Sequence, residues 1–150
     1  ARDSLGDYQG AIEDYNQAIK LEPNNAYHYN NRGYSRYKLG DYKGATKDYN
    51  EAIELNCNDA IIFNNRAMAR EKLNDNEGAI KDYNRAIQIK PNYANSYKNK
   101  GQLYYGLNNR QDAILNYEQA ANLYLNQGDL EQYQKAINKL KKLESPWWRL

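Results

Sequence analysis

Small and apolar residues recur along this chain at helical spacing, in short segments separated by polar turns. Ala45, Tyr49, Ala52 and Ile53 stand at i, i+4, i+7 and i+8, which is one face of a helix. Tyr8, Ile12, Tyr15 and Ile19 form another such face over about 7–21, and Leu130, Tyr133, Ile137 and Leu140 a third near the end of the chain. The punctuation agrees with this reading. Asn24, Asn58 and Asn92 precede one set of segments and Asp7, Asp41 and Asp75 the other, as helix N-caps. Gly6 and Gly40 occupy turns that need a left-handed backbone, and Asn74 and Asn108 stand in the same places further on. Pro23 and Pro91 stop a helix.

The segments repeat with a constant period. "LGDY" at 5–8 returns as "LGDY" at 39–42, "LNDN" at 73–76 and "LNNR" at 107–110. Ala11, Ala45, Ala79 and Ala113 keep step, as do Tyr15, Tyr49, Tyr83 and Tyr117, and Ala18, Ala52, Ala86 and Ala120. One full unit reads "AYHYNNRGYSRYKLGDYKGATKDYNEAIELNCND", residues 26–59. Unit length, helix–turn–helix grammar and the Tyr/Ala registers resemble the tetratricopeptide repeat (TPR) family. The resemblance implies an all-α fold, a TPR α-solenoid winding as a right-handed superhelix with a C-terminal capping helix. One such helix pair cannot bury its own face, so stacked neighbours must cover it.

The expected organisation is a first repeat reduced to its second helix (1–25), complete repeats at 26–59, 60–93 and 94–127, a capping helix at 128–144 and a tail at 145–150. Leu125 stands in the register of Pro23 and Pro91, so the helix before it is expected to run about a turn longer. The helix at about 7–21 has no partner on one side, which calls for upstream repeats or a covering chain. The adjacent Trp147 and Trp148 either pack back on the cap or dock elsewhere. A homo-oligomer held through the 7–21 helix and Trp147 and Trp148 is the corresponding expectation.

Composition narrows the function. There are 16 Tyr but no Val, which disfavours sheet. A net charge of +2 gives no electrostatic case for nucleic acid, and no apolar run is long enough for membrane insertion. Cys57 is the one cysteine, which fits a reducing, cytoplasmic setting. His28 is the only histidine, so a metal site is not expected. No Gly-rich phosphate loop or nucleophile elbow occurs. Catalytic residues and cofactors are expected to be none.

In TPR arrays the first helices of successive repeats line a concave groove for extended or helical peptides. By that resemblance the groove positions are Tyr27, Asn30, Tyr34 and Tyr37, then Ile61, Asn64, Met68 and Lys72, then Asn95, Lys98, Gln102 and Tyr105. Some of the tyrosines, Tyr27 and Tyr37 above all, could equally pad helix contacts. Chaperone-binding members hold a C-terminal carboxylate with five positions. Here these read Asn30, Tyr34, Asn65, Lys98 and Gln102, of which only Asn65 and Lys98 match, so a tight site of that kind is doubtful. The cap helix carries Lys135, Lys139, Lys141 and Lys142, read as a solvated face or as a patch for an acidic partner.

A basic residue recurs inside each first helix: Arg32, Arg66 and Lys100. Asp14, Asp48 and Asp82 precede them at one constant offset, which suggests ion pairs between adjacent repeats. The functional expectation is a protein-interaction module or assembly scaffold that binds a peptide or partner protein. A self-associating array and a regulatory arm of a larger enzyme are the alternatives.

Overall fold

The computed structural model describes residues 6–55 and 58–145. Cys57, Trp147 and Trp148 lie outside the described residues. The described chain is helical throughout: α1 (Tyr8–Leu21), α2 (Ala26–Lys38), α3 (Tyr42–Glu54), α4 (Ala60–Lys72), α5 (Asn76–Ile89), α6 (Ala94–Gly106), α7 (Arg110–Asn126) and α8 (Leu130–Glu144). It divides into two compact units, Ala1–Ile89 and Lys90–Leu150. In the first, α1 packs on α2, α2 on α3, α3 on α4 and α4 on α5; in the second, α6 packs on α7 and α7 on α8.

The second helices start as the sequence predicts. Asp7 accepts from the Gly10 amide at 3.0 Å, Asp41 from Gly44 at 2.9 Å and Asp75 from Gly78 at 3.0 Å. Asp129 opens α8 in the same way, accepting from Gln132 at 3.1 Å. The first helices are capped one residue later than expected. Asn25 and Asp59 accept from the amides of Tyr27 and Ile61, and α6 has no side-chain cap. Asn24 and Asn92 belong to the turn that follows the proline, too early for their side chains to reach the first free amides. The left-handed turn residues are those the sequence marks: Gly40 (φ 83°), Asn74 (φ 61°) and Asn108 (φ 59°).

The repeated tyrosines are the centres of the helix pairs. Tyr49, Tyr83 and Tyr117 are buried, each flanked by fully buried alanines of its own helix. Gly33 faces Tyr49 and Asp48; a β-carbon there would stand 2.9 Å from the Tyr49 ring. Gly101 sits against Tyr117 in the same way, whereas the second repeat fits Ala67 at this position. The α7 helix has 17 residues against 14 in α1 and α5, which end before Pro23 and Pro91, the extension expected where proline is missing. Ala136, Leu140 and Leu143 bury α8 against Ala113, Tyr117 and Ala121. Leu130, expected on that face, is 64% exposed. It lies in the first turn, about a quarter turn round the helix from the buried stripe.

Glu71 is the half-buried acid of α4. Burial pushes its carboxyl above the usual range, against the opposing effects of the Tyr83 hydroxyl that donates to it and of the Lys72 charge. A carboxyl whose folded pKa is raised contributes stability below its unfolded pKa and loses it as pH rises through the folded value. Glu71→Gln is therefore expected to raise the thermal midpoint at pH 7 and to match the parent below about pH 4. A lower midpoint at pH 7 would show the ionised carboxylate to be a net stabiliser.

Candidate functional site

The recurring arginine resolves into an ionic triad inside each repeat of the first unit. Arg32 gives Nη2 and Nε to the Asp48 carboxylate at 2.6 and 3.0 Å, and Arg36 adds Nη1 at 2.8 Å. Asp48 is 1% exposed. The second repeat copies this: Arg66 reaches Asp82 at 2.7 and 2.8 Å and Arg70 at 2.8 Å. The third guanidinium nitrogen crosses to the preceding repeat, where Arg32 donates to Asn16 and Arg66 to Asn50, both at 2.8 Å.

The pairing expected with Asp14 for Arg32, and with Asp48 for Arg66, is thus corrected. The carboxylate partner follows the arginine in sequence, on the helix that closes the same repeat. The link to the previous repeat is carried by an asparagine. The triad positions of the third repeat read Lys100, Tyr104 and Asn116. There Lys100 lies over the Tyr104 ring at 5.7 Å and Asn116 donates to the Asp112 carbonyl. Burial pushes the Lys100 ammonium below the usual lysine range, with Asp112 opposing. The Arg32 and Arg66 guanidinium groups are thus engaged within the fold.

The groove positions of the first unit separate into surface and floor. Tyr27, Tyr34 and Ile61 are exposed (55%, 38% and 44%), as is Lys72. Tyr34 meets Tyr8 edge-on at 6.5 Å between centroids and lies beneath Lys38. Asn30 and Asn64, expected at the surface, are buried. Neighbouring residues cover them: Asn65 of α4 donates to Asn30 at 3.3 Å, and Asn64 donates to the Met68 sulfur at 3.6 Å. Met68 is half-buried with it. Tyr37 turns inward against the α2–α3 core and packs edge-on to Tyr42.

In the second unit Asn95 accepts from the Tyr124 hydroxyl at 2.5 Å, and Gln102 from Tyr117 at 2.8 Å. Burial pushes the Tyr117 phenol up to about 12. Tyr105 is exposed, with the Lys139 ammonium 5.8 Å from its ring centre. A cleft of about 360 Å³ opens here, lined by Lys98, Asn99, Gln102 and Tyr117 on one side and by Lys135, Ala136, Asn138, Lys139 and Lys142 of α8 on the other. Lys98 and Gln102 were legible from the repeat. Their junction with the α8 lysines was not, because the period ends before the cap. Arg36, Arg70, Asn16 and Asn50 were also missed, although Arg70 repeats Arg36 and Asn50 repeats Asn16 one period on.

Among the described residues no group of His, Cys, Asp and Glu is arranged to hold a metal, and no helix is long and apolar enough to cross a membrane.

Family models match along most of the chain. The TPR repeat model fits residues 4–40, 33–74 and 69–108, and a second tetratricopeptide repeat model fits 94–123. No curated protein matches significantly. Among solved structures, the crystal structure of MamA superposes with a TM-score of 0.73 at 23% identity, covering 94% of this chain and 93% of that one. The Arabidopsis OM64 TPR domain gives 0.70 at 25% identity over 79% and 93%. The first TPR of Spaghetti (RPAP3), solved with the HSP90 peptide SRMEEVD, gives 0.70 at 24% identity over 79% and 90%. With the repeat period, the helix pairs and the family match in agreement, the chain belongs to the tetratricopeptide repeat family, whose arrays are protein-interaction modules.

Proposed function

We propose that this chain is a non-catalytic scaffold that binds a peptide segment of a partner protein across α2 and α4. The observation that carries this reading is the row of large side chains left in solvent there. Tyr27, Tyr34 and Ile61 stand exposed on adjoining first helices, over an amide floor of Asn30 and Asn65 that is already hydrogen-bonded. Tyr supplies contact area with a polar tip and little entropy to lose, the chemistry of a binding surface rather than of a reaction centre. The OM64 domain and the RPAP3 first TPR share the fold, and the latter is bound to a peptide in its structure, which supports the reading.

The test is selection of binders from a random peptide display library, followed by titration of the selected peptide. Tyr34→Ala with Ile61→Ala is expected to weaken it by more than about tenfold, as for two interface anchors. Undiminished affinity would move the site off α2 and α4.

Self-association through α1 is the second reading. Ile12, Tyr15 and Ile19 are only half-buried and Leu21 is 83% exposed. Sedimentation of the same protein over a dilution series tests it, and a constant monomer mass rejects it.

A further inference from the structure

The second unit holds a half-buried cation with no ion-pair partner among the described residues. Lys98 projects from α6 into the cleft against α8, and among the described residues no carboxylate lies within ion-pair distance of it. Burial pushes its ammonium below the usual lysine range; Lys135 adds to this and Asp129 opposes it. The other wall adds Lys135, Lys139 and Lys142, and no acidic side chain is among the described residues lining the cleft. Lys135 is tied to Glu131 on its own helix; Lys98, Lys139 and Lys142 have no ion-pair partner among the described residues, Lys139 resting near the Tyr105 ring. Gathering like charges around a half-buried ammonium is unfavourable unless an anion joins them.

The row on α8 has a spacing that selects among anions. Lys135, Lys139 and Lys142 stand at i, i+4 and i+7, on one helix face. At about 1.5 Å per residue they climb about 6 Å and then about 4.5 Å along the axis. Same-face side chains of an extended peptide are two residues apart, roughly 6.6 Å. A single small anion would engage one end of this row; an extended chain with acids at alternate positions runs along it. The volume of about 360 Å³ is in the range of roughly 300–1,000 Å³ typical of small-molecule sites, so it takes a short stretch and not a folded surface.

We propose that the cleft between α6 and α8 is a docking site for an extended acidic peptide segment, with Lys98 at its base and the α8 lysines along its wall. It deepens the protein-binding reading by assigning a partner chemistry, but at a place separate from α2 and α4. It does not use a peptide's C-terminal carboxylate: of the five positions associated with that mode Asn65 and Lys98 alone match, and the remaining cations of this cleft come from the cap helix. The acids are side chains within a segment, so a blocked C-terminus is no obstacle.

The probe is a fluorescein-labelled Glu-Ala-Glu-Ala-Glu-Ala peptide with an amidated C-terminus, titrated by anisotropy against the whole chain at low salt. Binding that weakens with added salt is expected. Lys98→Ala with Lys139→Ala should weaken it by more than about tenfold. Lys43→Ala with Lys47→Ala, on the exposed side of α3, should leave it unchanged. Circular dichroism confirms that each variant is folded, and Lys98→Gln serves where alanine perturbs the helix. Absence of binding, equal loss in the α3 variant, binding only by the peptide with a free C-terminus, or preference for a single-stranded oligonucleotide of equal charge would each overturn the proposal. Because the display-selected peptide reports on α2 and α4, its retention or loss is read independently of the acidic probe.

Discussion

Asp82→Ala is expected to destabilise the first unit by about 3–5 kcal/mol, the cost of leaving half-buried cations without their shared carboxylate. Asp82 is 3% exposed and takes hydrogen bonds from both Arg66 and Arg70. Removing it leaves Arg66 with the Asn50 amide oxygen, and Arg70 with the Gly78 carbonyl and the Asp75 carboxylate 3.6 Å away. The unfolding midpoint should fall by on the order of 10 °C for a chain of this size, followed by helical circular dichroism. The chain supplies its own control. The third repeat fills the three positions with a half-buried Lys100 and Tyr104 and a buried Asn116, with no carboxylate at the triad position. Adding Arg66→Lys and Arg70→Tyr to Asp82→Asn should therefore recover most of the loss. A decrease below about 1 kcal/mol for Asp82→Ala, the range of exposed ion pairs, would show that the triad is not a stability element.

Tyr83→Ala should cost about as much, roughly 3–5 kcal/mol, by a different route. The ring is fully buried between alanines of α5 and the facing helix, so truncation leaves a void that stiff helices cannot close. It also removes the donor to the half-buried Glu71 carboxylate. Tyr83→Phe separates the two effects. It keeps the volume and loses the hydroxyl, for an expected cost of about 1–3 kcal/mol at pH 7. Without that donor the Glu71 carboxyl is harder to ionise, so the Tyr83→Phe deficit should shrink as acid protonates it. Urea unfolding at pH 7 and pH 4 reads both variants. A Phe variant whose deficit is the same at both pH values would break the link between the hydroxyl and Glu71.

Much of the fold was legible because a repeat states each structural instruction several times. The Ala and Tyr registers mark the buried face in every second helix, and Asp41, Asp75 and Asp129 cap as their positions predict. The same periodicity hid the ion pairing. In a periodic array, an aspartate before an arginine, as Asp48 stands before Arg66, implies another after it, as Asp82 does. The two assignments are indistinguishable inside the array, and only the side-chain geometry separates them. The third repeat could have broken the tie, since both arginines and the aspartate change together there, but this requires seeing Arg36 and Arg70 as members of the set. The groove was partly misjudged for a related reason. Helical phase places Asn30 and Asn64 on the same face as Tyr27 and Tyr34, and burial by a neighbouring helix is not encoded in the phase of one helix alone. The α6–α8 cleft joins a repeat to a helix outside the period, so no register could announce it.

The asparagine on Arg32 and Arg66 has a consequence for how such a protein can lengthen. Each arginine keeps its carboxylate within its own repeat and asks its predecessor only for one amide oxygen, from Asn16 or Asn50. A duplication or loss of one whole period between the two repeats that carry the triad presents the next arginine with an asparagine at the same offset and strands no charge. Gene-level growth and shrinkage of the array can then proceed in single steps, each intermediate already having its joints made.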